Sequence, residues 1–394
     1  MPDKATLTSA EGNLTTKVIW LMSIASGVSV ANIYYLQPLL TQIAIDFNVA
    51  QSTVGLMPTL TQVGFALGLL LILPLADIVE KRRLLSIMLI CSSCSLLLLF
   101  LASNFSIAAI ASFFLGFTSI IPQLLIPLGA QLAKPQERGQ VIGSIMAGLL
   151  IGILLSRVVS GLLGEIYGWQ TIYLFAAILM LNLLCVLHFN LPQCPALTKI
   201  NYQASLKSLI PILKQYPVLL EYSIIGAMIF FAFSAFWTAL TFLLSGPDYH
   251  LGAGAAGLFG LVGIVGAFCS PFAGKFADKK GPRFAVGSNL LIITVAFSIF
   301  ATFGQHIWGL IIGVILLDLG VQCCNVSSQA RIHQLDETAR SRVTAIYMST
   351  YFLGGALGSY AGAWSFQHFS WLGVCTLGLL SQAIAGFCFL YGHK

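Results

Sequence analysis

The chain has 394 residues, 58% of them hydrophobic and only 8% charged, with a mean hydropathy of +0.91. A water-soluble core cannot absorb so large an apolar share, so the composition excludes a soluble globular protein and implies a chain whose solvent is mostly lipid. The formal net charge of +6 reports topology and not nucleic-acid binding, because of where the basic residues fall.

Residues 1–17 are polar, and the first apolar run is too long for a signal-peptide core, so it is expected to stay in the mature protein. Runs of about 20 apolar residues, enough to cross ~30 Å of hydrocarbon as helix, lie at 18–40, 52–75, 84–102, 105–132, 141–164 and 170–191. Six more follow a polar interval, at 218–244, 254–276, 284–304, 307–330, 343–364 and 369–391. The reading is an all-α membrane protein of twelve transmembrane helices. Its expected parts are a tail at 1–17, a six-helix bundle at 18–191, a linker at 192–217, a second bundle at 218–391 and a tail at 392–394.

Apart from Arg157 within run five and Lys275 at the very end of run eight, every Lys and Arg falls in a terminal tail or an alternate gap between apolar runs. Lys81, Arg82 and Arg83 follow run two, Lys134 and Arg138 run four, and Lys199, Lys207 and Lys214 the central interval. Lys275 closes run eight and Lys279, Lys280 and Arg283 follow it, and Arg331, Arg340 and Arg342 follow run ten. The other loops hold Asp46, Glu165, Asp248, His250, His306 and His368 with no Lys or Arg. Because basic loops stay cytoplasmic, the pattern predicts a multi-pass protein of the cytoplasmic (inner) membrane with both termini inside.

Of nine cysteines, all but Cys194 fall within apolar runs, so no disulfide framework is expected. The Cys91-x-x-Cys94 pair has metal or redox spacing but no His or acidic neighbour in its run, and reads as packing. No metal and no cofactor is expected.

The chain repeats at an offset of 202 residues. Arg138, Val141, Met146, Gly152 and Trp169 are matched by Arg340, Val343, Met348, Gly354 and Trp371, and Asp77 by Asp278 one position short of that offset. Two pseudo-symmetric bundles follow. Gly148, Gly152, Ser156 and Ser160 form a small-residue stripe on helix five, and Gly354, Gly358 and Gly362 one on helix eleven. Such stripes serve close packing in lipid or a moving interface between halves, and both uses stay open.

The segment Gly274-Lys-Phe-Ala-Asp278-Lys279-Lys280-Gly281-Pro-Arg283 resembles the cytoplasmic loop signature of the major facilitator superfamily. The loop after helix two, Pro74-Leu-Ala-Asp77-Ile-Val-Glu80-Lys81-Arg82-Arg83, keeps the Asp and the basic cluster but has Leu73 and Glu80 in place of glycines. Asn32-Ile-Tyr34-Tyr35-Leu-Gln37-Pro38 resembles the first helix of a bacterial efflux branch of drug or metabolite:proton antiporters. The resemblance implies the major facilitator fold, a two-bundle transporter rocking about a site lined by helices one, four, seven and ten. It marks Asp77, Arg82, Asp278, Lys279, Gly281 and Arg283 as a latch, in which a carboxylate meets a helix N-terminus or an Arg in one state only. Topology-setting charge is the plainer alternative. Ser156-Arg157 stands where proton-coupled drug antiporters show Gly-Pro.

Two ionisable side chains lie clearly at membrane depth, Arg157 and Asp318, each costing at least ~2.5–3.5 kcal/mol unless sheltered. Their repeat mates, Ser359 and Gly116, are uncharged. Asp318, Gln322, Asn325 and Gln329 share one helical face, expected to line a cavity. A carboxyl held there can take up and release a proton in step with a conformational change, contact substrate, or form a fixed pair with Arg157. Arg157 stands toward the outer end of its helix, where it snorkels or holds an anionic group. Further cavity candidates are Asn32, Tyr35, Gln37, Gln62, Gln123, Ser234, Trp237, Thr238 and Thr241, each also readable as an interhelical hydrogen-bonding residue. The run Phe230, Phe231, Phe233, Phe236 and Trp237 suits a bulky apolar substrate or lipid equally.

The leading expectation is a secondary transporter exporting a small amphipathic molecule against protons, monomeric, with membrane lipid as its surroundings and no nucleic-acid partner. A metabolite, siderophore or nutrient carrier of the same fold is the alternative. A membrane enzyme or receptor is the rival class, and the scattered His188, His250, His306, His333, His368 and His393 offer no catalytic cluster. No Walker-type glycine loop is present to support ATP drive.

Overall fold

The computed structural model describes residues 15–134, 136–192, 202–207, 209–263, 281–335 and 340–392. The spans are α1 (Thr16–Asp46), α2 (Gln51–Ala76), α3 (Lys81–Phe100), α4 (Phe105–Leu132), α5 (Arg138–Tyr167) and α6 (Gln170–Asn190). They continue as α7 (Pro217–Ser245), α8 (described over Ala253–Gly263), α9 (Pro282–Phe303) and α10 (Ile307–Ile332). A last helical stretch, Arg340–Tyr391, breaks at Ser370 into α11 (340–369) and α12 (371–391). Two short helices, Tyr202–Lys207 and Leu209–Gln215, lie between α6 and α7.

Local chemistry sets the breaks. Pro38 cannot donate into the helical ladder, and α1 passes through a 3-10 turn at Gln37–Leu39. Pro74 sits in the 3-10 turn Leu73–Asp77 that ends α2. The Glu80 carboxylate caps α3, accepting from the backbone N–H of Arg82 (3.0 Å) and Arg83 (2.7 Å), which gives a physical reason for an acid where the loop pattern has glycine. Asn104 caps α4 by accepting from the Ile107 N–H at 3.0 Å. Gly168, at φ 88°, ends α5 in a conformation that side chains disfavour.

The repeat is visible in the backbone. Asn48 and His250 (φ 51° and 53°) are 202 positions apart, as are Gly168 and Ser370 (φ 88° and 53°). The tryptophan after each of the latter pair is buried and anchored, Trp169 donating to Asp46 Oδ2 at 2.7 Å and Trp371 to the Phe300 carbonyl at 2.9 Å.

Both glycine stripes pack inside their own bundle. A Cβ at Gly148 or Gly152 would overlap the Ser23 or Gly27 carbonyl of α1, and one at Gly354 or Gly358 the Ala227 or Phe231 carbonyl of α7. Close helix packing is therefore what these stripes do.

The end of the molecule that carries Lys81, Arg82, Arg138 and Arg331 is termed the basic face. At the opposite, far face the halves are tied together. Thr41 Oγ1 lies 3.1 Å from Ser245 Oγ, and Thr241 Oγ1 donates to the Gln37 carbonyl at 2.8 Å. Glu165 Oε2 accepts from the Gly254 N–H at 2.8 Å, and Gln367 Oε1 from the Ser52 N–H at 2.9 Å. Between the two faces α2 meets α11 through Thr59 Oγ1 to the Ala356 carbonyl (3.2 Å) and the Phe65–Phe352 ring pair (4.3 Å).

Candidate functional site

A cavity of about 820 Å³ lies between the halves. It runs from Arg157 and Asp318 to Lys81, Arg138, Gln329 and His333 at the basic-face ends of α3, α5 and α10. Its walls are mostly apolar, with Phe65, Phe230, Phe233, Tyr351 and Phe352 forming an aromatic side. Phe230 stacks on Tyr351 at 4.2 Å.

Arg157 forms part of the cavity end nearest the far face and is 1% exposed. Its guanidinium does not snorkel. The Cζ atom lies 3.8 Å from the Trp237 ring centroid and 5.2 Å from that of Tyr34, and Nε donates to Gln37 Oε1 at 2.8 Å. Cation–π contacts of this desolvated kind are worth about 2 kcal/mol, comparable to the insertion cost of the charge. The break at Pro38 takes Gln37 out of regular α-helix, its amide meeting Arg157 and its carbonyl accepting from Thr241. Nη2 of Arg157 is buried without a hydrogen-bond partner among the described residues.

Asp318 is 6% exposed, and its Oδ2 likewise has no hydrogen-bond partner among the described residues. The two charges lie within electrostatic reach of each other but form no ion pair with one another, in contrast to Arg283 and Glu221, which do pair, at 3.8 Å. Gln322, Asn325 and Gln329 line the cavity with Asp318. Asn325 Oδ1 accepts from Gln329 Nε2 at 3.2 Å and from the Tyr347 hydroxyl at 3.0 Å.

The helix that admits both charges is α8. Glycines recur every third residue at 254, 257, 260 and 263. A Cβ at Gly257 would overlap the Arg157 carbonyl, one at Gly260 would lie 3.0 Å from Arg157 Cβ, and one at Gly263 would lie 2.7 Å from Asp318 Oδ2. The spacing is plain in the chain, but sequence reasoning passed over it. It also passed over Tyr34, which lies in the cavity wall beside Arg157.

The remaining candidates divide. Gln123 lines the cavity from α4. Trp237, Gln37 and Thr241 build the surroundings of Arg157. Gln62 lies in the seam between halves, its Nε2 3.3 Å from Ser234 Oγ and 3.2 Å from Ser359 Oγ. Asn32 donates to Ser92 Oγ at 3.4 Å inside the first bundle, and Tyr35 is buried away from the cavity wall. Of the aromatic run, Phe230 and Phe233 face the cavity, while Phe236 stacks on Phe300 at 4.3 Å.

Among the latch residues, Arg82 Nη1 donates to the Leu191 carbonyl at 3.2 Å, and Arg283 Nη2 to the Phe389 carbonyl at 2.8 Å. Gly281 precedes α9 at φ 91°. Asp278, Lys279 and the Asp77 side chain lie outside the described residues.

The sequence profile of the Major Facilitator Superfamily matches residues 22–359. The chain belongs to the major facilitator superfamily. It is 38% identical to the uncharacterized transporter YgaY of Escherichia coli O157:H7 over 372 residues, 94% of each chain. It is 30% identical to the probable transporter SCO4007 of Streptomyces coelicolor, over 91% of this chain and 83% of that one. Among solved structures, a bacterial homologue of the human lysosomal transporter Spinster, in an inward-facing and occupied conformation, superimposes with a TM-score of 0.77 at 14% identity, covering 95% of this chain and 96% of that one. This superfamily member is therefore a multi-pass membrane transporter and not an enzyme.

Proposed function

We propose that this transporter exports a small amphipathic molecule across the cytoplasmic membrane in exchange for protons, by alternating access. The observation that carries the reading is Asp318: a buried carboxylate with an unpartnered oxygen, on the wall of a cavity between two halves. Taking the basic face as cytoplasmic, the cavity faces inward and the far-face contacts close the outer side. Substrate enters from the cytoplasm. Rocking of the halves breaks the far-face hydrogen bonds and exposes Asp318 to the outside, where a proton replaces the released molecule and is carried in. The cavity is lined by residues of one chain, which supports a working monomer.

In everted vesicles with an imposed pH gradient, Asp318→Asn is expected to reduce gradient-driven flux at least about a hundredfold while downhill exchange of the same solute persists, since the neutral amide keeps the side chain's shape and loses the proton site. Undiminished gradient-driven flux in that variant would overturn the coupling role.

A further inference from the structure

Resting on the reading of this cavity as the substrate site, we infer that the substrate is a zwitterion: a molecule with an anionic group for Arg157, a cationic group for Asp318 and an apolar or aromatic body. Arg157 Nη2 and Asp318 Oδ2 both line one cavity and are buried, with no hydrogen-bond partner among the described residues, yet form no ion pair with each other. One lies on each half of the molecule. Leaving either charge buried and uncompensated is costly, and a single small molecule satisfies both only if it carries both signs. A plain anion would leave Asp318 unpaired, and a plain cation would leave Arg157 so. The body follows from the wall of Phe230, Phe233, Tyr351 and Phe352, and a cavity of about 820 Å³ admits a molecule of amino-acid to small-peptide size. The class also fits exchange for protons, because an ammonium and a proton compete for the same carboxylate. Among the described residues, the ionisable side chains within electrostatic reach of Asp318 are Arg157 of α5, Tyr34 of α1 and Tyr351 of α11.

Thermal stabilisation of the purified full-length protein by phenylalanine and by the Phe-Phe dipeptide, each with its N-acetyl and its amide derivative, tests this. At least one zwitterion is expected to bind about tenfold or more tightly than both of its singly charged derivatives. Arg157→Gln should erase the preference over the amide, Asp318→Asn the preference over the N-acetyl compound, and Arg157→Lys should keep part of the first, which separates recognition from misfolding. Discrimination that survives both variants, or a derivative that binds as well as its zwitterion, overturns the assignment. Failure of both zwitterions while another solute shows Asp318-dependent flux overturns it too and leaves the transporter reading standing. Absence of Asp318-dependent flux for every solute removes that reading instead.

An independent observation concerns the far face. Glu165 and Gln367 are 202 positions apart, and so are their partners Gly254 and Ser52. Each side chain sits at the far-face end of a helix in one half, α5 or α11, and caps the first turn of a helix in the other half, at 2.8 Å and 2.9 Å. The geometry points to a duplicated clasp that biases the resting state toward far-face closure, with one acidic and one neutral copy. Labelling of a cysteine placed at Thr241 by a membrane-impermeant thiol reagent from the far side reads the open population. Glu165→Ala and Gln367→Ala should each raise labelling roughly fivefold, and the double variant more, whereas Glu165→Gln should stay near the parent because the amide oxygen still accepts. Unchanged labelling in a double-alanine variant of normal thermal stability would overturn the clasp.

Discussion

The charge pair was legible because a charge at bilayer depth demands an explanation, and Asp318 and Arg157 both came to the cavity. Their supports were harder to read. Tyr34 and Tyr35 are neighbours about 100° apart on one helix, and only packing decides that the first faces Arg157. The glycines of α8 have meaning only through what sits opposite them. At this scale Gly263→Ala is expected to displace the Asp318 carboxylate, because its methyl would lie 2.7 Å from Oδ2. Gradient-driven flux should fall at least about tenfold at an overpacking cost of ~1–3 kcal/mol; flux at the parental level would show that Asp318 tolerates the shift.

Twelve elements were readable from apolar runs because lipid forces helices to satisfy their own backbone. Breaks within runs were not, since 3-10 turns at Gln37–Leu39 and Leu73–Asp77 leave hydropathy unchanged. The α11/α12 corner carries a testable strain. Ser370, at φ 53° and ψ −156°, occupies a conformation that glycine tolerates, and its repeat mate is Gly168. Ser370→Gly should stabilise the protein by about 1 kcal/mol in a thermal melt. Gly168→Ser should destabilise it by a similar amount. Gly152→Val, which forces a branched side chain against the Gly27 backbone, should abolish the α1–α5 contact and fail to yield a monodisperse protein on size exclusion.

Across the whole molecule, the repeat offset indicated two equivalent halves, and Asn48/His250 with Gly168/Ser370 repeat it in the backbone. Which side is shut was not legible, because closure depends on pairings between remote segments such as Thr41 with Ser245. These hydroxyls are 3.1 Å apart. With the nine native cysteines replaced, Thr41→Cys with Ser245→Cys is expected to form a disulfide on oxidation, arrest transport and recover on reduction. Full transport in the oxidised pair would mean that the two helix ends never separate during turnover.

The indole of Trp237 rests against a permanent positive charge. An excited indole is sensitive to the field across its ring, so any event that draws the guanidinium away or pairs it with an anion should shift the emission of this side chain. With the other five tryptophans replaced by phenylalanine, the protein becomes its own optical gauge of occupancy, reporting each binding event without an added dye.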